Sequence, residues 1–212
     1  MAKTARSTTK SKSIYDVHPG VQMVQDWIEQ LPEKTGRSLE QWLTFIQKKG
    51  PKSERERRDW LKNELGLGVN SAWWLAERAE GKGSEDSDPQ AYLKAAEVYV
   101  SEMYSGGRAG LIPIYDKLIS LAKKLGKDVR ICPCKTMVPL YRKHVFAQIK
   151  PTTKTRIDLG FALGDMKPKG RLVDTGGFAK KDRITHRIPL TSPEDIDAEV
   201  SKWLEAAYDR DA

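Results

Sequence analysis

The spacing of apolar residues changes its period about midway along the chain. In the first half, apolar positions recur every three or four residues, as at Val21, Val24, Ile28 and Leu31, which is the period of an amphipathic helix. In the second half, apolar and polar residues alternate. In KTRIDLGFAL, one side of the predicted strand carries Thr155, Ile157, Leu159, Phe161 and Leu163. This change predicts a helical region followed by a β-sheet.

Helix-start signals divide the first half into four helices. Ser38 is followed three residues later by Gln41, and Ser53 by Glu56, which are capping-box spacings. A fourth helix, SAWWLAERAEG, is predicted to be capped by Asn70 or Ser71. We therefore expect a compact helical domain over residues 14–83, whose small core can draw on Trp27, Trp42, Trp60, Trp73 and Trp74.

The second half is predicted to be an α+β domain over residues 91–212, joined by a Gly/Ser/Asp-rich linker at 84–90. Two helices come first, and then four strands, KTMVPLY, HVFAQIK, KTRIDLGFAL and RITHRIPL. An amphipathic helix capped by Ser192 closes the chain. Alternating strands of this kind predict an antiparallel sheet with one face covered by helices and the other partly open.

Two bacterial families resemble the two halves. Residues 18–81, with KTGRSLEQWL, WLKNELGLG and AWWLAERA, resemble domain-of-unknown-function family 4287. Residues 108–209, with PCKTMVPLYR, FAQIKPTTKTRIDLGFAL and THRIPLTSPEDIDAEVSKWLEAAY, are similar to domain-of-unknown-function family 5655. The two domains often occur joined in this order. The resemblance implies a small all-helical domain followed by an α+β domain, and it implies no activity, because neither family has an assigned one.

Charge is sorted along the chain. The net charge is +8, and residues 108–187 alone carry 19 basic and six acidic side chains. The segments on either side, 84–107 and 188–212, are acidic, whereas 14–83 is neutral. A concentrated positive field attracts anions. The sequence therefore points to an anionic partner for the α+β domain, such as nucleic acid or another polyanion.

The predicted binding surface is the outer face of the sheet and its adjoining loops. Basic side chains interleaved with aromatic ones suit a phosphate backbone with stacked bases. The candidate residues are Lys135, Thr136, Tyr141, His144, Phe146, Lys150, Lys154, Arg156, Arg171 and His186, with Gln148 on the same face and Lys167, Lys169, Lys180, Lys181 and Arg183 in the loops. The alternative is that Tyr141 and Phe146 pack under a helix and the lysines only keep the domain soluble.

Two further functions stay open. One is a small-anion-binding or enzymatic pocket between the sheet and the C-terminal helix, built from Lys135, Thr136, Arg156 and His186. The other is a protein-interaction module through the Trp-rich helical domain. DNA reading by the helix-turn-helix-like stretch 56–81 is disfavoured, because its second helix presents mainly Trp and Ala.

No catalytic residue, metal ligand or cofactor is assigned. No nucleophile, zinc-protease or phosphate-loop motif occurs in the chain. Cys132 and Cys134, with His144 and His186, could supply four zinc ligands, but their spacing does not favour it. The basic, Ser/Thr-rich N-terminal tail at 1–13 is expected to be disordered. Two cysteines, the lack of an apolar core behind this tail, and no long apolar run predict a cytoplasmic protein that does not enter a membrane.

Overall fold

The computed structural model describes residues 13–212, which form two compact units. The helical unit is Val17–Ala95, and the sheet unit comprises residues 13–16 and 96–212. The α+β class predicted from the sequence is confirmed. The predicted disordered tail lies outside the described residues except for Ser13. Among the helices of residues 13–212, none has the length and apolarity needed to cross a bilayer.

Every α-helix of the helical unit except the fourth begins with a side-chain N-cap. Its helices are α1 (Pro19–Thr35), α2 (Leu39–Lys49), α3 (Glu54–Asn63), α4 (Val69–Arg78) and the first part of α5 (Pro89–Met103). The capping box of Ser38 and Gln41 at α2 is confirmed. The predicted cap of α4 is wrong, because the helix starts after Gly68, without a side-chain cap. The Ser71 hydroxyl instead accepts a hydrogen bond from the Trp27 indole at 2.9 Å.

The core of the helical unit is small and partly aromatic. Its fully buried side chains include Leu31, Ile46, Leu61 and Leu75, with Trp42 donating a 2.8 Å hydrogen bond to the Thr35 hydroxyl. Trp73 was expected to join this core but is 49% exposed. Ala72, Leu75 and Ala76 occupy the buried side of α4, and position 73 is rotated by about 100° from 72, toward solvent.

The segment predicted as a linker, 84–90, is folded as part of the helical unit. It contains a 3₁₀ turn at Ser84–Asp86 and the start of α5. The buried Arg78 side chain holds this segment, because its Nη2 donates to the Gly83 carbonyl at 3.1 Å and to the Ser87 hydroxyl at 3.4 Å. A buried charged group needs such partners. The polar residues that suggested a linker therefore supply hydrogen-bond acceptors for the Arg78 guanidinium.

The sheet unit contains a six-stranded sheet, antiparallel throughout. The strands are β1 (Arg130–Ile131), β2 (Val138–Tyr141), β3 (Val145–Pro151), β4 (Ile157–Phe161), β5 (Val173–Asp174) and β6 (His186–Leu190), in the order β1-β2-β3-β4-β6-β5. Its further helices are the rest of α5, α6 (Ile112–Leu125) and α7 (Ala198–Arg210). The four longer strands were predicted. The two-residue strands β1 and β5 were not, because two residues show no period.

The strand register divides the sheet into a buried face and an outer face. Leu140, Ala147, Phe161 and His186 lie opposite one another on the buried face, and Ile149, Leu159 and Ile188 follow in the next row. Side chains of α6 and α7 complete this core, with Leu118, Val200 and Leu204 among them. The outer face carries Pro139, Gln148, Lys150, Asp158, Gly160, Arg187, Pro189 and Val173.

The same register defines the two ends of the sheet. At the Lys154 end, β3 finishes at Pro151 and β4 begins at Ile157. At the opposite end, which we call the Phe178 end, β4 finishes at Phe161 and β6 begins at His186. The seven residues of β3 separate the two ends by about 20 Å.

The terminal helix starts later than predicted. Ser192 forms a capping box with Asp195, but this caps only a 3₁₀ turn at Pro193–Asp195. Helix α7 starts at Ala198, where the Asp197 carboxylate accepts from the backbone N–H groups of Glu199 and Val200. The segment predicted as one helix is therefore a 3₁₀ turn capped by Ser192, followed by an α-helix capped by Asp197.

Candidate anion-binding site

Lys135 and Thr136 form the tip of a hairpin at the Lys154 end of the sheet. The backbone N–H of Cys134 donates to the Met137 carbonyl at 2.8 Å, which closes a two-residue turn. Both tip residues are exposed rather than part of strand β2, where they were predicted. The Lys135 ammonium lies 5.9 Å from the centre of the Tyr99 ring, within range of a cation–π interaction.

The β3–β4 turn brings further lysines and hydroxyls to the same end. The Thr152 and Thr153 N–H groups both donate to the Arg156 carbonyl, at 3.0 and 3.3 Å. Lys150 and Lys154 are exposed, and in the described part of the chain their ammonium groups have no ion pair or hydrogen bond. The hydroxyl-rich turn therefore presents two unpaired positive charges to solvent.

A largely buried carboxylate organises the outer face next to this turn. Asp158 is 13% exposed and meets two guanidinium groups, Arg156 Nε at 3.0 Å and Arg187 Nη1 at 3.0 Å. The Thr152 hydroxyl donates to it at 2.8 Å. Lys150 lies directly opposite Asp158 in the register. Two arginines and a lysine around one carboxylate leave the surface net positive, and the half-exposed arginines can still turn N–H groups outward.

Arg187 belongs to this cluster although the sequence prediction omitted it. The signal was present in the alternation of THRIPL, where Ile188 is buried and Arg187 must point to the opposite face. Of the predicted site residues, the structure thus brings together Lys135, Thr136, Lys150, Lys154 and Arg156 at one end of the sheet.

Two predicted site residues lie on the buried side of the sheet unit instead. Phe146 was expected on the outer face, but the β2–β3 register shifts between Leu140 and Tyr141, which interrupts the alternation. Phe146 is fully buried, and its ring meets the Tyr208 ring edge-on at 5.6 Å. His186 is also buried: its Nε2 donates to the Met166 carbonyl at 2.8 Å, and its Nδ1 accepts from the Thr185 hydroxyl at 2.8 Å.

The position of His186 separates it from the other members of the predicted pocket. It pairs with Phe161 at the Phe178 end, whereas Lys135, Thr136 and Arg156 lie at the Lys154 end. Both ring nitrogens already have protein partners. The structure therefore does not assemble the pocket that was predicted from these four residues.

His144 and Tyr141 lie at the Phe178 end, whereas Arg171, which precedes the edge strand β5 on the Lys154 side, is occupied by ion pairs. His144 is exposed at the β2–β3 turn and contacts Asp211. Tyr141 is half-buried beside the Arg130 guanidinium, and burial raises the pKa of its phenol to about 12. Arg171 is engaged by the acidic segment at the start of α7, with Nε 2.9 Å from Glu199 and Nη2 2.6 Å from Asp197.

Arginines and lysines of the sheet unit have different roles. Arg142, Arg156, Arg171, Arg183 and Arg187 each form an ion pair with a carboxylate. In the described residues, by contrast, ten lysines between 123 and 181 have no side-chain hydrogen bond or ion pair: Lys123, Lys124, Lys127, Lys143, Lys150, Lys154, Lys167, Lys169, Lys180 and Lys181. The acidic C-terminal segment thus neutralises part of the basic segment, and the lysines supply the accessible charge.

The two cysteines lie in the approach to the hairpin tip. Cys132 is buried and Cys134 half-buried, with its Sγ 3.9 Å from the Cys132 carbonyl oxygen. Burial raises the pKa of Cys132 to about 12 and also raises that of Cys134. Across residues 13–212, no group of three or more His, Cys, Asp or Glu side chains is arranged to hold a metal ion.

Comparison with known proteins identifies both halves of the chain. Residues 23–80 match the domain of unknown function DUF4287. No match was found among curated proteins or solved structures. Residues 100–211, a little over half of the chain, match the domain of unknown function DUF5655. The chain therefore belongs to the DUF5655 family, with a DUF4287 domain preceding the family domain.

Proposed function

We propose that the sheet unit binds single-stranded nucleic acid in the bacterial cytoplasm, with low sequence preference, through the Lys154 end of its sheet. The observation that carries this proposal is the set of exposed lysines there, Lys135, Lys150 and Lys154, beside the threonine-rich turn. Flexible ammonium groups and hydroxyls bind phosphate oxygens without reading bases. The proposal describes binding, and it assigns no catalytic residue and no cofactor.

Two features favour a flexible strand over a duplex. The charges follow a turn and a hairpin tip rather than a helix that could enter a major groove. The Asp158 cluster also fixes the adjoining arginines, so base-specific bidentate contacts would compete with existing ion pairs. Contacts with phosphates alone give affinity that depends on salt and little on sequence.

The test is a salt series with matched triple variants. For single strands, log K should fall with log salt concentration by about 0.7 per phosphate contact. Replacing Lys135, Lys150 and Lys154 by Gln should reduce that slope by about 2. The control replaces Lys123, Lys124 and Lys127, which also have no hydrogen bond or ion pair within residues 13–212 but lie at or just after the end of α6. Equal effects of both triple variants, or absence of binding at low salt, would contradict the proposal.

A second candidate function is protein binding by the helical unit. Trp73 and Val69 on α4 are 49% and 62% exposed and line a cleft with three basic residues of α3, Arg55, Arg58 and Lys62, and one acidic residue, Asp59. In the described chain, the side chains of these three basic residues have no hydrogen bond or ion pair. An apolar stripe beside a cationic stripe fits an acidic amphipathic helix.

Pull-down with the full chain tests this second candidate. A partner retained by the wild type should be lost with W73A and with R55Q/R58Q. M23A is the control, because Met23 is a comparably exposed apolar residue of the same unit outside the cleft. Retention of every partner by W73A would exclude this surface.

A further inference from the structure

A second concave site lies at the Phe178 end of the sheet. It is a cleft of about 670 Å³ between the ends of β4 and β6, the loop before β6 and the last turn of α7. Small residues, Ala162, Gly164 and Ala179, leave room between its walls. Ligand sites for small molecules typically have volumes of about 300–1,000 Å³, so this cleft, which we call the Phe178 cleft, has a suitable size.

Phe178 is an exposed aromatic ring on one wall of this cleft. It is 59% exposed, whereas Phe146 and Phe161 of the same unit are fully buried. Its loop is closed by backbone hydrogen bonds: the Gly177 carbonyl accepts from Lys180 at 3.0 Å and from Asp182 at 2.9 Å. The backbone that carries the ring is thus an ordered turn, which reduces the backbone entropy that a ligand must remove.

Gly177 shows that this loop conformation depends on its sequence. A Cβ atom at position 177 would lie 2.5 Å from the backbone oxygen of Ile184, so a larger residue would force the loop open. Lys181 has a positive φ of 60°, which is uncommon for a residue with a side chain. Such strained positions concentrate at ligand-binding sites, and Lys181 itself lines the Phe178 cleft.

Three basic side chains surround the space beside the ring. Lys181 is exposed, and its ammonium group has no partner among the described residues. Arg210 lies on the opposite side at 3.7 Å from Asp165, a loose ion pair between two exposed groups. Arg183 is oriented by Asp211 and by the Val145 carbonyl, to which its Nε donates at 2.9 Å. Among the residues that line the cleft, three are basic and one, Asp182, is acidic, while Asp165 and Asp211 already pair with Arg210 and Arg183.

We propose that the Phe178 cleft binds one nucleotide, with its base stacked on Phe178 and its phosphate between Lys181 and Arg210. A planar ring beside an anion is the ligand that complements an exposed phenyl group flanked by cations. The choice of a nucleotide rests on the proposed binding of single-stranded nucleic acid. In that setting, the Lys154 end holds phosphates and the Phe178 cleft holds a base.

A membrane surface is a less suitable partner for the same residues. An aromatic ring between lysines can also insert into an anionic lipid interface. Phe178, however, lines a concave cleft together with the α7 side chain Arg210, and a flat bilayer cannot follow that contour. Binding to lipid vesicles is therefore the competing result in the experiment below.

The experiment compares a normal strand with one that has no bases. The full chain is titrated with a labelled single strand of about twelve nucleotides, within the ~4 to 16 nucleotides that one OB-fold covers, and with an abasic strand of equal length. F178A should weaken binding of the normal strand about tenfold and leave the abasic strand unchanged. F178W should restore the wild-type value. K181Q should weaken both strands, whereas K180Q, which removes a charge outside the cleft, should have a smaller effect.

Each outcome decides between the two proposals. If F178A changes the affinity for both strands equally, or for neither, the base site is refuted. The triple lysine variant then still tests phosphate binding at the Lys154 end. If the wild type binds neither strand, the proposed function fails. AMP then tests the cleft alone: shifts of the Phe178 and Lys181 NMR signals support it, and unchanged signals overturn it. If F178A abolishes binding to phosphatidylglycerol vesicles but not to strands, the loop is a membrane contact and the nucleotide inference is wrong.

Discussion

His144 and Asp211 are joined by two contacts that close the Phe178 end of the sheet unit. The backbone N–H of His144 donates to Asp211 Oδ2 at 2.7 Å, and the His144 Nδ1 lies 3.0 Å from Oδ1. Arg183 pairs with the same carboxylate, which is 4% exposed. The next-to-last residue of the chain thus fastens the β2–β3 turn to the loop before β6.

We expect D211N to lower the free energy of unfolding by about 1–3 kcal/mol, because a buried acceptor of several hydrogen bonds loses its charge. Urea unfolding measures this difference. D209N is the matched control: Asp209 is exposed, and in the described residues its carboxylate has no hydrogen bond or ion pair. Its effect should stay within about 0.5 kcal/mol. Equal stabilities of the wild type and D211N would show that the triple contact is not stabilising.

Acid should remove this contribution of Asp211. Burial alone would raise the pKa of its carboxyl, but the His144 hydrogen bonds and the Arg183 charge outweigh burial and lower it. A lowered pKa stabilises the fold fully above the unfolded-state value of about 3.9, and the contribution disappears as pH falls through the lower folded-state value. The stability difference between wild type and D211N should therefore shrink as pH falls below about 4. A difference that grows in acid would contradict this assignment.

Trp42 and Trp73 should differ sharply in their effects on stability. Trp42 is 2% exposed and hydrogen-bonded to Thr35, so W42A should cost about 3–5 kcal/mol. Trp73 is 49% exposed, and W73A should cost less than about 1 kcal/mol. Thermal unfolding of the two variants provides the comparison. A large loss in W73A would mean that Trp73 supports the fold and is not available to a partner.

The cysteines should be unreactive in the folded protein. Burial raises the pKa of both thiols, to about 12 for Cys132, so little thiolate is present at neutral pH. Ellman's reagent should label neither thiol quickly in the native state, and both in the denaturant-unfolded protein, which serves as the control. Rapid native labelling of either residue would contradict this expectation.

Gly177 should be the most sensitive residue of the Phe178 loop. G177A places a Cβ atom 2.5 Å from a backbone oxygen, so the loop must move, at a cost of about 1–3 kcal/mol. G110A is the control, because a Cβ at Gly110 meets nothing within 4 Å. Calorimetry should show a lower melting temperature for G177A alone. Similar values for both variants would mean that the loop accommodates a side chain.

Local sequence patterns predicted the elements that depend on neighbouring residues. The Ser38 capping box starts α2 as expected, and HVFAQIK predicted β3 to within one residue at each end. Both signals act over a few residues, so no distant contact is needed to recognise them. The grouping of Lys150, Lys154 and Arg156 could be predicted for the same reason, because all three residues lie in or next to one turn.

Long-range contacts account for most of what the sequence did not predict. Phe146 is buried by a register shift that its own strand does not reveal. Arg171 meets Glu199, 28 positions away, and Arg183 meets Asp211 over the same separation. These ion pairs bring acidic residues of the C-terminal segment next to basic residues of the segment before it, so the two signs are mixed in the folded domain. The net charge of a segment therefore overstated the field at its surface, and only the fold shows which cations remain unpaired.

The separation between paired arginines and unpaired lysines has a consequence for protein engineering. Because arginine ion pairs connect the framework of the sheet unit, and the lysines contact solvent, net charge can be changed without altering those pairs. Acetylating or replacing the lysines would invert the surface potential while the melting temperature stays nearly constant. The proposed affinity of the domain for anions should then fall in steps as single lysines are replaced.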